Sequence, residues 1–346
     1  MISAMNVVSK IISGLLPVAL LPGLQSCIYE DMRECPGEYY VHLLVSNDWM
    51  YAPDASPEGM ACIFFPEDNG KPWRFDILGR NGGEVRLPNE DYHFVTINDD
   101  YSSIIFENAD SYSEIAVTTP PCELFYGAGK AAAEAKLPSS RNSQSGAAKE
   151  DVRQSPDMLW SNSIEKVDIA PGELSYSLPD GAMEHQRSSS ASSVLRLLAY
   201  PRPIVSRYHV RIADVGNLDG VAMMCGAMSG LASSVRLSDN RHSPDPVTVP
   251  FTLDKAGDST ISVDFLTFGR TSGTDHDNML SLFVWLRDGT KLEYDFDVTS
   301  LIIRAEDPFD VWINIEGPDL PESGPASGTF DVNVDNWNTI EIEIND

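Results

Sequence analysis

Between Phe330 and Ile344 apolar and polar residues alternate almost one for one. In an extended chain Phe330, Val332 and Val334 point one way while Asp331, Asn333 and Asp335 point the other, and Ile340, Ile342 and Ile344 repeat the arrangement. Only a period of two fits, and a segment of that period buries its apolar side as a strand in a sheet. Strand-like segments also run through the N-terminal half: YYVHLLV from Tyr39, GMACIFF from Gly59, RFDIL from Arg74, EVRL from Glu84, YHFVTIN from Tyr92, SIIF from Ser103 and EIAVTT from Glu114. Turn-forming residues punctuate every gap. In PEDNGKP and RNGGE the Asn-Gly and Gly-Gly pairs supply the positive φ angles of tight reversals. Seven short strands within about 80 residues describe a β-sandwich.

The second half repeats the style in SRYHVRIADV, VTVPFTL, STISVDFLTF, LSLFVWL, KLEYDFDVT and FDVWINIE. Helical periodicity is confined to the leader and to AAAEAK, so the expected class is all-β, with two antiparallel sandwiches in tandem. Composition divides the chain into a leader at 1–26, a tether at 27–37, an N-terminal sandwich at 38–180 and a C-terminal sandwich at 181–346. The first sandwich carries an expected disordered insertion near 127–155, rich in Ala, Ser, Gly, Lys and Glu.

The leader holds one charged side chain, Lys10, then a mostly apolar run from Ile11 to Leu24, and ends in Leu24-Gln25-Ser26-Cys27. Gly14, Pro17, Pro22 and Gly23 interrupt that run, which falls short of the roughly 20 apolar residues a membrane helix needs. A small residue before a thiol is the cleavage pattern of a lipoprotein signal, with the cut between Ser26 and Cys27. Cys27 is then the acylated first residue, whose chains hold the protein on a membrane at about 0.8 kcal/mol per buried methylene. The expected location is the outer membrane, lipid-anchored and facing the cell surface.

With 24 Lys and Arg against 52 Asp and Glu, the formal net charge is −28. Such a surface repels phosphate backbones, so no nucleic-acid partner is expected. Apart from Cys27, four cysteines remain, Cys35, Cys62, Cys122 and Cys225. They are compatible with three disulfide connectivities or with none, and Cys62 in the apolar run ACIFF reads as a buried thiol. None of their spacings is that of a zinc site.

No constellation nominates an active site, a metal or a cofactor. Gly127-Ala128-Gly129-Lys130 lacks the Gly at Leu124 and the hydroxyl at Ala131 that a phosphate loop requires. In Gly226-Ala227-Met228-Ser229-Gly230 the serine is one place from a nucleophile elbow, and the segment reads as a close turn. Asp331, Asn333 and Asp335 have calcium-loop spacing, but Asn336 replaces the loop glycine and Ile342 the bidentate Glu, so the strand reading prevails. No enzymatic activity is expected.

The segment NDWMYAPDASPEGMACIFFPEDNGKPW, followed by VRLPNEDYHFVTIN, resembles the fimbrillin superfamily of cell-surface lipoproteins of anaerobic Gram-negative bacteria. AYPRPIVSRYHVRI, MSGLASSVRL, FLTFGR, LFVWLRDGTKLEYDFDVT and FDVNVDNW extend the resemblance over most of residues 27–346. It implies two transthyretin-like sandwiches, an acylated Cys27, and service as an anchor, tip or accessory subunit that binds another fimbrial subunit. The implied contact is strand addition, in which main-chain bonds supply affinity and alternate side chains fill an exposed core. Polymerising members are cut after an Arg beyond the first strand. No Arg lies between Arg33 and Arg74 here, a departure that favours an uncleaved anchor.

The alternating tail, Phe330, Val332, Val334, Ile340, Ile342 and Ile344, is the candidate partner-binding strand, with closure of its own domain as the other reading. The alternative function is that of a surface glycan-binding lipoprotein using exposed rings among Trp49, Trp73, Trp160, Trp285, Trp312 and Trp337.

Overall fold

A computed structural model describes residues 40–68, 70–122, 150–188, 194–273, 276–324 and 338–342. All of them belong to one unit, Tyr39–Asp346. In chain order the first strands are β1 Tyr40–Asn47, β2 Gly59–Pro66, β3 Trp73–Leu78, β4 Gly82–Pro88, β5 Asp91–Asn98, β6 Ile105–Glu107 and β7 Ala116–Thr118. They continue as β8 Asp151–Val152, β9 Trp160–Ala170, β10 Glu173–Ser177, β11 Met183–Arg187, β12 Leu195–Ala199 and β13 Arg202–Pro203. The C-terminal half comprises β14 Ser206–Ala213, β15 Val221–Ala232, β16 Ser234–Arg236, β17 Pro246–Thr252, β18 Asp254–Lys255 and β19 Ile261–Thr267. After β20 Met279–Leu286 and β21 Lys291–Asp297 come the helix α1 Thr299–Ile303, then β22 Asp310–Glu316 and β23 Asn338–Ile342. The protein is all-β, as the alternation predicts.

In β1 the alternation turns Val41, Leu43 and Val45 inward, and the sheet β12-β1-β4 adds Val85, Leu87, Leu195 and Leu197 on the same side. These pack on one face of a seven-stranded sheet ordered β11-β10-β9-β5-β2-β3, with β13 joined to β9. Cys62, Phe64, Tyr92, Phe94, Ile164 and Val167 supply its half of the core. Every residue of β2 is buried, because Ala61, Ile63 and Phe65 enter a second core on the opposite face. The small sheet β16-β7-β6 covers that side through Val117 and Val235. A strand buried on both faces reads as the unbroken apolar run GMACIFF instead of alternating. Since β16 comes from the C-terminal half, the two halves share this core.

The second sandwich packs β18-β19-β14-β22 against β23-β21-β20-β15-β17-β8. Tyr208, Val210 and Ile212 of β14 meet Leu280, Leu282 and Val284 of β20 in the largest apolar cluster. Burial of a side chain of this kind stabilises the fold by about 1.5–3 kcal/mol. No helix among the described residues is long and apolar enough to cross a membrane.

Three features differ from the sequence expectation. First, the sandwiches are not purely antiparallel: β1–β12, β14–β22, β17–β8 and β21–β23 pair in parallel. Parallel neighbours need long crossovers, and these strands return to their partners from far along the chain. Second, β11 and β12 lie beyond the compositional division at residue 180, yet bond to β10 and β1 of the N-terminal sheets. Third, most of the insertion expected near 127–155 lies outside the described residues, but its end is ordered. There β8 pairs with β17, and Ser155 Oγ donates to the Leu266 carbonyl at 2.7 Å.

Turn chemistry explains the tight points. Gly82, in RNGGE, has φ +92°, and a Cβ there would collide with the Val45 carbonyl. The GAMSG segment is not a turn: it lies inside β15, where the register shifts between Met228 and Leu231. Gly230 adopts φ +74° at this bulge.

Candidate functional site

Of the residues proposed for partner binding, Ile340 and Ile342 lie in β23, while Phe330, Val332, Val334 and Ile344 lie outside the described residues. So do Ser26 and Cys27 of the cleavage and lipidation site. Strand β23 runs parallel to β21, with Ile340 opposite Tyr294 and Ile342 opposite Phe296. Ile342 packs against the main C-terminal core, and Ile340 is 42% exposed. In β21, the strand it pairs with, Leu292, Tyr294 and Phe296 are all buried. A short parallel strand thus forms the sheet edge, beside a strand whose apolar side chains are buried. That is the local geometry in which a strand closes its own sheet or joins another.

The other sandwich layer ends in β22, which pairs with β14 on one side and has no strand on its other side among the described residues. Val311, Ile313 and Ile315 point into the core, leaving Asp310, Trp312, Asn314 and Glu316 outward. Charged residues on an open edge discourage indiscriminate pairing.

On this outer face the rings of Trp312 and His209 stack with centroids 4.1 Å apart and planes at 14°. His209 Nδ1 lies 2.8 Å from Asp264 Oδ1 on β19, and its Nε2 lies 2.9 Å from Asp310 Oδ1 on β22. Trp312 Nε1 donates to Asp310 Oδ2 at 3.2 Å. Hydrogen bonding from His209 holds the Asp310 carboxyl below the usual carboxylate range. Sequence reading takes SRYHVRIADV, STISVDFLTF and FDVWINIE as separate strands and leaves the cluster unseen. Its members come from three strands, and the parallel pairing of β14 with β22 spans most of the C-terminal half. Outward positions at every second residue are the sole local signal.

The tryptophans sort by burial. Trp49 and Trp285 are core, Trp160 is half-buried with its ring edge-on to Trp49 at 6.3 Å, and Trp337 is outside the described residues. Trp73 is 37% exposed and Trp312 59% exposed. A separate polar cleft of about 370 Å³ lies among Asn162, Glu165, Tyr200, Arg202 and Asn240.

Among the described residues neither a metal centre nor an activated cysteine or serine assembles. Among the described residues no group of three His, Cys, Asp or Glu side chains could hold a metal ion. Cys62 and Cys225 are buried and unpaired. Burial pushes the Cys62 thiol up to about 12 and raises that of Cys225 as well, the opposite of a reactive thiolate. Ser229 is buried, and its hydroxyl accepts from the Met279 N–H at 3.3 Å, with no histidine at its side.

A protein of Bacteroides ovatus provisionally named a fimbrium anchoring subunit, Fim4B, is 23% identical over 338 residues, covering 87% of this chain and 89% of its own. The crystal structure of a Bacteroides ovatus protein provisionally described as an adhesin shares the fold. Its TM-score is 0.54 at 22% identity, over 82% of this chain and 95% of that one. The fimbrial anchor protein Mfa2 of Porphyromonas gingivalis aligns with a TM-score of 0.47 at 12% identity, over 81% of this chain and 90% of that one. The family model described as Domain of unknown function (DUF5119) matches residues 26–252, from before the first sheet to the end of β17, and the chain belongs to that family.

Proposed function

We propose that this protein is a non-enzymatic, lipid-anchored subunit of cell-surface fimbriae that binds another fimbrial subunit by strand addition at its C-terminal sandwich. The observation that carries the reading is β23, a five-residue parallel strand at the sheet edge beside β21. A sheet edge already built to take a parallel strand suits a fold whose recognition is made by backbone. The relative provisionally named a fimbrium anchoring subunit supports the assignment to fimbriae, and the lack of an Arg between Arg33 and Arg74 favours an anchor over a stalk subunit. In this reading Cys27 carries the acyl chains, the outer membrane is the site of attachment, and no cofactor takes part.

The test is affinity capture of the full-length tagged protein from detergent-solubilised envelopes of fimbriated cells. Recovery of fimbrial subunits is expected, and recovery of none contradicts the proposal.

A further inference from the structure

We infer that the outer face of β14 and β22 is a binding site for a neutral sugar ring, with Trp312 as its stacking platform. The site is independent of the strand edge argued above. With one face of the indole against His209 and 59% of the residue accessible, the open surface is the opposite ring face. The exposed ring presents a flat apolar face to solvent. Here the ring is also fixed, by its Nε1 bond to Asp310 and by the stack on His209, which Asp264 and Asp310 hold from both sides. Such fixation lowers the ordering cost of binding.

The surroundings select the ligand. Beside the ring lies the Asp310 carboxylate, its side chain 51% open, and beyond His209 lies that of Asp264, 65% open. An ionised carboxylate has about four acceptor positions, so Asp310 retains capacity for incoming hydroxyl donors beside its bonds to His209 and Trp312. Arg207 sits opposite Asp310 in the strand register, and its charge helps lower the Asp310 carboxyl, so it offers donors at the same place. Asn314, outward on β22, adds an amide. Flanking carboxylates oppose an anionic ligand, and the Arg207 charge beside Asp310 opposes a cationic one. A pyranose fits both requirements, with an apolar C–H face for the indole and hydroxyl groups for acceptors and donors at the rim. A protein partner fits less well. The outward residues of β22 around Trp312 are polar, whereas a stable protein contact covers about 800 Å² per partner with an apolar centre.

The experiment titrates the full-length protein in detergent with neutral gluco-, galacto-, manno- and xylo-oligosaccharides, reading tryptophan fluorescence and saturation-transfer NMR. At least one sugar is expected to give a saturable change. Trp312→Ala is expected to weaken it by about tenfold or more, and Trp312→Phe, which keeps a smaller ring, by less. Asp264→Asn, which loosens His209 without touching the indole, is expected to weaken binding while leaving the melting temperature unchanged. No saturable change with any of these sugars overturns the inference, as does unchanged binding by both Trp312 variants. Loss of fimbrial-subunit capture by Trp312→Phe with no sugar response in the parent protein also overturns it and assigns the ring to a protein contact. Intact capture by the Trp312 variants with lost sugar binding separates this site from the strand edge.

Discussion

Asn278 Nδ2 donates to the carbonyl of Gly230 at 2.9 Å and to that of Ser229 at 3.2 Å, fastening the bulge of β15 to the start of β20. Asn278 is fully buried, so its amide is the internal partner for carbonyls that the bulge removes from the sheet ladder. Gly230→Ala would place a Cβ on the Asp277 carbonyl oxygen at a backbone angle of φ +74°. The left-handed conformation alone costs an L-residue about 1–2 kcal/mol, and the collision adds to it. Urea denaturation should show a loss of at least that size, and an unchanged midpoint would refute the role given to this glycine.

His242 predicts an acid-side loss of stability. Its ring is half-buried, Nδ1 lies 2.9 Å from the Arg270 carbonyl, and burial lowers its pKa from the ordinary value of 6.5 despite that hydrogen bond. The folded state therefore binds the proton less readily than the unfolded chain. The contribution is fully present above pH 6.5 and is lost as pH falls from there through the folded value. Denaturant midpoints measured on either side of pH 6.5 should fall on the acid side in the parent protein and fall less in His242→Asn. Equal falls in both would assign the acid sensitivity to other groups.

The two buried thiols should be inert. With the Cys62 thiol pushed up to about 12 and that of Cys225 raised by burial, little thiolate is available at neutral pH. Single-cysteine variants retaining one or the other should resist a thiol reagent in buffer and react fully in guanidinium. Rapid labelling of either in the native state would contradict the buried reading.

Attachment should depend on one residue. Cells fed a clickable fatty acid should label the parent protein and not Cys27→Ala, which should leave the membrane fraction. Equal labelling of both would remove the lipid anchor from the account.

Much of the fold was legible because strand alternation is local. YYVHLLV, RFDIL, EVRL and YHFVTIN became β1, β3, β4 and β5, each within a residue or two of its quoted segment. MEHQR, absent from the segments read as strands, is β11, an edge strand with no residue fully buried. Backbone bonds to β10 hold it, so no apolar face was there to read. Strand pairing was equally hidden: nothing near Leu195 says that it lies beside Leu43, or near Trp312 that it lies beside His209. The Trp312 platform escaped notice for that reason. The alternating tail was visible and its extended form at residues 338–342 followed, whereas its partner strand β21 could not be read from it.

Strand addition makes main-chain hydrogen bonds, so amide hydrogen exchange tests it most directly. The full-length protein should be compared alone and in complex with a fimbrial subunit captured from envelopes. The account predicts slowed exchange along an edge strand of the C-terminal sandwich, β22 or β23, with the N-terminal sheets unchanged. A stable complex with no added protection at any of these edges would contradict it.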